Sequence, residues 1–357
     1  MGDIKMDRRN FVRSAAAAAA FASMPSFAET RRDGIWAGFL TFGRNMWSDV
    51  PVPRWGTNDG STPEKRKELM GVCAADHVRF DEETFHRITE KMAAIGMNMV
   101  VIDLGEALAY PSHPELAVKG SWSPDRFHKE LGRLRGLGLE PIPKLNFSTS
   151  HDTWLKDYHR MVSTPKYYEV CRDLVGDVCE IFDRPRFFHL GYDEESAGLQ
   201  KLYGYCVVRQ GDLWWHDFIY ISGLVERMGV RPWIWSDYHW HHPEEFENRM
   251  PKSVLQSNWY YGGSFDYEDP YMGEYASRAI KTYLALEKAG FDQVPCGSDY
   301  LSRKNMPETV KFCRAHIASE RLKGFLIAPW HGGCLRENEE KFLSAMDCMS
   351  AAMSTTA

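Results

Sequence analysis

Short apolar segments alternate with longer helical segments along most of this chain, and that alternation constrains the fold more than any other feature. The apolar segments carry consecutive hydrophobic residues, as expected of parallel strands that are buried on both faces. Eight of them are predicted as strands, at residues 35–42, 98–104, 139–145, 186–191, 231–236, 253–258, 293–297 and 324–329. Eight strand–helix units in succession predict an α/β protein whose parallel sheet closes into a single (β/α)8 barrel, the TIM barrel.

The helical segments have recognisable starts and apolar faces. Phe85, Ile88 and Met92 recur at helical spacing in the first of them. Ser123-Pro124 is an N-cap residue followed by proline at the first helical position. No G-x-G-x-x-G sequence follows the first strand, which argues against a dinucleotide-binding open sheet. The predicted helices cover residues 81–95, 124–137, 165–182, 211–228, 271–288, 307–318 and 339–352, and a short helix begins at residue 243.

The N-terminus has the features of a twin-arginine export signal. Arg8 and Arg9 precede a weakly apolar run, and residues 26–28 form a small-residue cleavage pattern. The sequence therefore predicts a signal over residues 1–28 and one catalytic barrel over residues 29–357. The apolar run is too short to cross a bilayer and no cysteine stands at the cleavage point. We expect a periplasmic or extracellular protein without a membrane anchor after cleavage.

Composition narrows the classes of partner. The chain has 357 residues and a net charge of −6, which gives no electrostatic reason to bind nucleic acid or an anionic membrane. Its eight cysteines include no C-x-x-C pair, and the run His239–His242 matches no zinc signature, so we expect neither a metal nor another cofactor. The 12 tryptophans favour a carbohydrate substrate, because the apolar faces of a sugar ring stack on indoles.

Barrel enzymes collect their active-site residues from the carboxyl ends of the strands. In this sequence those positions are acidic, aromatic and amide-rich, with few cations, unlike a phosphate site. A glycosidase needs a carboxylic acid to protonate the leaving oxygen and negative charge near the developing cation. The strand-end residues are Arg44, Asn45, Asp103, Glu106, Lys144, Asn146, His151, Asp193, Glu194, Glu195, Trp235, Asp237, His239, Asn258, Trp259, Tyr260, Asp299, Tyr300, Trp330 and His331.

One of these strand ends resembles a known family signature. The segment Phe188–Glu194, FHLGYDE, is similar to the H-x-G-x-D-E motif at strand four of the β-N-acetylhexosaminidases, glycoside hydrolase family 20. Residues 141–151 resemble that family's strand-three segment ending in histidine, and Arg44 stands where the family often has a sugar-binding arginine. Lys144 and Glu195 depart from the pattern. Further strand-end residues that look like those of the family are Trp235, Asp237, Trp259, Tyr300 and Trp330.

The resemblance implies a retaining, substrate-assisted hydrolysis of a 2-acetamido sugar. Glu194 is then the general acid and afterwards the base, and Asp193 orients the acetamido group whose oxygen attacks the anomeric carbon. On this interpretation the substrate contacts are made by Arg44, His151, Trp235, Asp237, Trp259, Tyr260, Asp299, Tyr300 and Trp330.

Three alternatives fit the same strand ends. A glycosidase acting on a sugar without an acetamido group would use Asp237 or Asp299 as its nucleophile or base. A metal-dependent sugar isomerase or epimerase would take Asp193, Asp237, Asp299 and His331 as ligands. A glycan-binding barrel without catalysis would keep the cleft and lose the chemistry.

The export signal yields the first prediction. Changing Arg8 and Arg9 together to lysine should leave the unprocessed protein in the cytoplasm, because the lysines keep the charge but not the arginine pair. Immunoblots of cytoplasmic and exported fractions measure this. The Arg13→Lys variant, which leaves the pair intact, is the control and should be exported. An unchanged exported yield from the double variant would contradict the prediction.

Overall fold

The computed structural model describes residues 34–48, 73–196 and 207–355. The predicted export signal, residues 1–28, lies outside these residues. So do residues 29–33 of the predicted barrel domain and most of the long loop after the first strand. Residues Gly34–Ala357 form one compact unit. Among the described residues, no helix is long and apolar enough to pass through a bilayer.

The barrel predicted from the sequence is confirmed. All strand pairs are parallel and follow the order β6-β5-β4-β3-β2-β1-β8-β7. The bridges Gln256–Gln293 and Trp259–Cys296 join the two ends of this series. The strands are β1 Ile35–Thr41, β2 Met99–Asp103, β3 Glu140–Lys144, β4 Phe187–His189, β5 Arg231–Trp235, β6 Leu255–Ser257, β7 Cys296–Gly297 and β8 Gly324–Ile327.

Helices surround the sheet at the predicted places. Asp81 and Ser123 cap the first two helices by accepting hydrogen bonds from the amides of Thr84 and Arg126. Gly273 precedes the sixth helix in an extended conformation, so that helix begins three residues later than predicted. The helices are α1 Glu82–Ala94, α2 Pro124–Gly136, α3 Pro165–Ile181, α4 Asp212–Arg227, α5 Pro243–Arg249, α6 Glu274–Lys288, α7 Asn305–His316 and α8 Glu339–Met353.

Several strands are shorter than their apolar segments. Strand β4 ends at His189 because the next residues turn away, with Gly191 and Tyr192 in the left-handed conformation. Only two residues of the predicted seventh strand form a regular ladder; Gln293 joins the sheet through isolated bridges. The hydrophobic run therefore predicts which segment is buried, but not where its regular pairing stops.

Two hydrophobic clusters fill the fold. One lies between the sheet and the helices, and the other lies inside the barrel. Because side chains alternate across a strand, each strand sends every second residue inward. Phe39, Val101, Ile142, Trp233 and Leu326 therefore point into the barrel. This alternation continues past the strand ends and decides which residues line the site.

Candidate active site

The site is built around a strained turn that follows β4. We define the strand-four turn as residues 190–195. Within it, Tyr192 and Glu194 are non-glycine residues with φ of 67° and 60°. Such left-handed residues cost about 1–3 kcal/mol each, so the surrounding structure has to hold them. A Cβ on Gly191 would lie 1.9 Å from Oδ1 of Asn146, so the turn also packs directly against the residues that follow β3.

Side chains of residues 145–152, which we name the β3 loop, hold the turn. The Ser148 hydroxyl donates to the Asp193 carbonyl, and the Ser150 hydroxyl donates to the Glu194 carbonyl at 2.9 Å. The Asn146 amide donates to Oδ1 of Asp193 at 2.8 Å. These hydrogen bonds fix both the backbone of the turn and the orientation of the Asp193 carboxylate.

A buried ion network anchors the turn from the other side. Glu195 accepts from Arg209 Nε at 3.0 Å, and Arg209 Nη1 donates to Asp217 Oδ2 at 2.9 Å. All three side chains are fully buried. Glu195 also accepts from the Thr149 amide at 2.8 Å. Glu195, which follows the two acidic residues of the motif, is thus a structural anchor and does not face the site.

His151 lies between the two candidate catalytic carboxylates. Its Nε2 is 3.0 Å from Oε2 of Glu194 and 3.4 Å from Oδ2 of Asp193. Burial by itself lowers the pKa of His151, but the charge of Asp193 and the hydrogen bond to Glu194 outweigh it and raise the pKa to about 9. His151 is therefore an imidazolium at neutral pH. It holds the two carboxylates together.

Asp237 follows β5 and connects the turn to an aromatic wall. Its Oδ2 accepts from the backbone amide of Glu194 at 2.7 Å, and its Oδ1 accepts from Trp259 Nε1 at 3.2 Å. Burial and the charges of Asp193 and Glu194 raise the pKa of Asp237 to about 8. The side chain is therefore a neutral carboxylic acid at neutral pH.

Aromatic rings form the wall and floor of the pocket. Trp235 is buried deep in the barrel, with its ring centroid 6.0 Å from that of Phe39. Trp259 stacks on Tyr261 at 5.2 Å, and the Tyr261 hydroxyl accepts from Trp330 Nε1 at 2.8 Å. These rings are contributed by β5, β6 and β8, and together they offer an apolar surface beside the carboxylates.

Tyr260 lies elsewhere. It packs against Phe265 in the layer between the sheet and the helices, because it points outward between the inward residues Trp259 and Tyr261. The structure therefore removes Tyr260 from the lining and places Tyr261 there. The inward alternation of β6 is the sequence signal that identifies Tyr261.

A polar group of residues stands at the ends of β1, β7 and β8. Asp299 Oδ1 and His331 Nε2 are 2.8 Å apart, and the exposed Tyr300 ring lies 6.2 Å from the His331 ring. Burial and the charge of Arg79 lower the pKa of Arg44 to about 10.

Glycine makes room for Arg44 at this edge. A Cβ on Gly333 would lie 2.6 Å from the Arg44 side chain. The Arg44 backbone is fixed by Glu106, which accepts from its amide at 2.8 Å. Within the part of the chain that the structure describes, Arg44 Nε has no hydrogen-bond partner. A half-buried cation of this kind is suited to bind sugar hydroxyls.

Lys144 departs from the family pattern, and its positive charge is balanced by an ion pair inside the barrel. Its ammonium forms an ion pair with Asp103, and both side chains are only 2% exposed. The ammonium also lies 5.4 Å from the centre of the Phe39 ring. Because Asp103 balances its charge, Lys144 adds no net positive charge beneath Asp193.

The raised pKa of Asp237 yields the second prediction. Between about pH 4 and pH 8, the native state holds a proton on Asp237 that the unfolded state has released. Stability therefore falls as pH rises through this window, by up to about 1.4 kcal/mol per pH unit. The Asp237→Asn variant cannot lose that proton. Its melting temperature should rise relative to that of the wild type by about 2 °C per pH unit between pH 5 and pH 8.

Differential scanning calorimetry at matched ionic strength measures this difference. Any change in the contact with Trp259 shifts the melting temperature of Asp237→Asn by the same amount at every pH, so it does not alter the slope of the difference against pH. Melting temperatures of the two proteins that run parallel across the window would show that Asp237 is ionised throughout.

Comparison with known proteins gives likeness in structure alone. No protein-family model matches the sequence, and no curated protein matches it. The chain is similar to a family 20 exo-β-N-acetylglucosaminidase from Vibrio harveyi, solved with N-acetylglucosamine, with a TM-score of 0.61 and 11% identity over 98% of this chain and 60% of the other. For a chitobiase from Flavobacterium johnsoniae the TM-score is 0.57, with 15% identity over 78% of this chain and 47% of the other.

A third similar structure is a β-N-acetylhexosaminidase from Bacteroides fragilis, with a TM-score of 0.55 and 12% identity over 88% of this chain and 65% of the other. The chain thus spans roughly half to two thirds of the length of these proteins. At this low identity the likeness shows the fold alone: the chain is similar in structure to these hexosaminidases and has a barrel of the same kind.

Proposed function

We propose that this protein is a retaining glycoside hydrolase that acts on a 2-acetamido sugar through substrate assistance. The observation that carries the proposal is the strand-four turn, which presents Asp193 and Glu194 side by side with His151 between them. An aromatic wall lies beside this pair, as a sugar with an apolar acetamido methyl requires. The fold shared with hexosaminidase structures supports the same conclusion.

In the first step Glu194 transfers its proton to the leaving oxygen as the bond from that oxygen to the anomeric carbon breaks. The acetamido carbonyl oxygen attacks the anomeric carbon from the opposite face and forms a cyclic oxazolinium. Asp193 accepts a hydrogen bond from the acetamido N–H and stabilises the positive charge that develops there. The Asn146 amide keeps the Asp193 carboxylate oriented for this contact.

In the second step Glu194 takes a proton from water as the water oxygen attacks the anomeric carbon. The oxazolinium opens, the acetamido group is restored and the configuration is retained. Glu194 is the more exposed of the two carboxylates, at 35% against 14% for Asp193, which suits contact with both a leaving group and incoming water.

The alternative with a protein nucleophile is less well supported. Both oxygens of Asp237 already accept hydrogen bonds, and its pKa of about 8 leaves it uncharged at neutral pH. A neutral, buried carboxylic acid is a weak nucleophile. Asp299 is paired with His331 in the polar group at the ends of β1, β7 and β8. The acetamido oxygen is therefore the nucleophile that we favour.

The isomerase alternative needs four ligands around one ion. Its candidates are divided instead between separate contacts: Asp193 with His151 and Asn146, Asp237 with the Glu194 amide, and Asp299 with His331. In the described part of the chain, the His and carboxylate side chains that come close enough to hold a metal are Glu82, His86 and Glu130, on α1 and α2. The arrangement at the strand ends thus favours hydrolysis over metal-assisted isomerisation. Loss of the carboxylate pair would be expected in a barrel that only binds glycans.

We also propose that the protein works outside the cytoplasm. The proposal rests on the twin arginines and the cleavage pattern in residues 1–28.

Removing the proton donor yields the third prediction. Glu194→Gln keeps the shape of the side chain and should lower turnover by about 10²–10⁴ on glycosides with poor leaving groups. A glycoside of an activated phenol needs less protonation and should lose less. Steady-state kinetics on both substrates measures the difference.

The matched control is Glu340→Gln, which makes the same change at an exposed position on α8. Its kinetics should equal those of the wild type. Equal losses on both substrates in Glu194→Gln would reject the acid role.

A further inference from the structure

A histidine and two glutamates lie together between α1 and α2, in the helical layer outside the barrel. Glu82 and His86 are four residues apart on α1, so their side chains are neighbours on one face of that helix. Glu130 comes from α2 and is buried. One nitrogen or oxygen atom from each residue lies within 4.8 Å of the atoms from the other two. The set therefore combines a nitrogen ligand with two carboxylates.

The separations of these atoms fit a small transition-metal ion. Zinc binds imidazole nitrogen and carboxylate oxygen at about 2.0–2.2 Å, so two ligands of a tetrahedral ion lie about 3.4 Å apart. Nε2 of His86 and Oε2 of Glu130 are 3.1 Å apart, close to that spacing. Glu82 has to approach by about 1 Å, which a small rotamer change of its half-exposed side chain supplies.

Two arginines hold the outer oxygens of the carboxylates. Arg126 Nη2 donates to Oε2 of Glu82 at 2.5 Å, and Arg133 Nε donates to Oε1 of Glu130 at 2.8 Å. Their charges offset the repulsion between the two carboxylates. Because each arginine contacts one oxygen of its carboxylate, the second oxygen can bind an ion while the first stays hydrogen-bonded. Carboxylate ligands that are themselves hydrogen-bonded are usual around bound metals.

We propose that Glu82, His86 and Glu130 bind a zinc ion that links α1 to α2. A nitrogen ligand favours zinc over magnesium, which prefers oxygen ligands alone. Water completes the coordination shell, because the side chains of Glu82 and His86 are partly open to solvent.

Sequence reasoning misses this set of ligands. Zinc motifs place pairs of ligands a few residues apart, whereas His86 and Glu130 are separated by 44 residues and belong to different helices. The three ligands do not belong to the candidate active site. The ion therefore has a structural role, and its presence or absence decides nothing about the proposed hydrolysis.

Isothermal titration of the metal-free, untagged protein with zinc chloride tests the proposal. His86→Ala removes the nitrogen ligand and should weaken zinc binding at this site at least about 100-fold. Glu130→Gln keeps the shape of the side chain and should weaken it at least about 10-fold. Zinc at about 100 times its Kd should raise the melting temperature of the wild type by about 3–6 °C. In His86→Ala that rise should disappear.

His128→Ala is the matched control, because it removes an exposed histidine from α2, the helix that carries Glu130. Its zinc binding should equal that of the wild type. Glu82→Gln removes a ligand at a half-exposed position, so it tests the site without altering a buried side chain. Its zinc binding should weaken at least about 10-fold. Circular dichroism without metal checks that each variant is folded.

Unchanged zinc binding in both His86→Ala and Glu82→Gln would overturn the proposal and leave adventitious binding elsewhere on the surface. An equal loss in His128→Ala and His86→Ala would have the same consequence. Displacement of the zinc by about a tenfold excess of magnesium would show a site without a nitrogen ligand and would also overturn it.

Discussion

The site depends on the hydrogen bonds by which the β3 loop holds the strand-four turn in a strained conformation. Two left-handed non-glycine residues, Tyr192 and Glu194, cost about 1–3 kcal/mol each. Hydrogen bonds from Ser148 and Ser150, each worth about 0.5–1.5 kcal/mol, offset part of that cost. The buried Arg209 fixes the next residue, although burying its charge is itself expensive. This strained turn determines the geometry of the site, because it places the carboxylates of Asp193 and Glu194 on either side of His151.

Electrostatics then gives chemically similar groups different tasks. The charges of Asp193 and Glu194 raise the pKa of Asp237, because three negative charges this close together would repel one another. The structure resolves this by giving His151 a positive charge and leaving Asp237 neutral. Asp193 faces the Asn146 amide, Glu194 faces the mouth, and Asp237 joins the turn to the aromatic wall. In the proposed mechanism, one site thus has a proton donor, a charge stabiliser and a neutral positioning group.

Much of this could be predicted from the sequence, because periodicity and composition report burial. The eight strands follow from the apolar segments of the sequence. The carboxylates after β4 and the tryptophans after β5, β6 and β8 follow from their positions just beyond those segments. The sequence also carries the signal for Tyr261 in place of Tyr260, because side chains alternate inward from Leu255 through Trp259 to Tyr261. Asn146, Ser148 and Ser150 were beyond prediction in their roles, since their hydrogen bonds depend on how two loops meet in space.

The central claim is that the substrate's own acetamido oxygen, held by Asp193, is the nucleophile. The most direct measurement is the inhibition constant of a thiazoline analogue of the oxazolinium, compared with that of the free N-acetyl sugar. If the site is built to stabilise that intermediate, the thiazoline should bind at least about 10²-fold more tightly than the free sugar. Comparable weak inhibition by both compounds, together with a covalent ester on Asp237 or Asp299 after treatment with a 2-fluoro glycoside, would contradict the account.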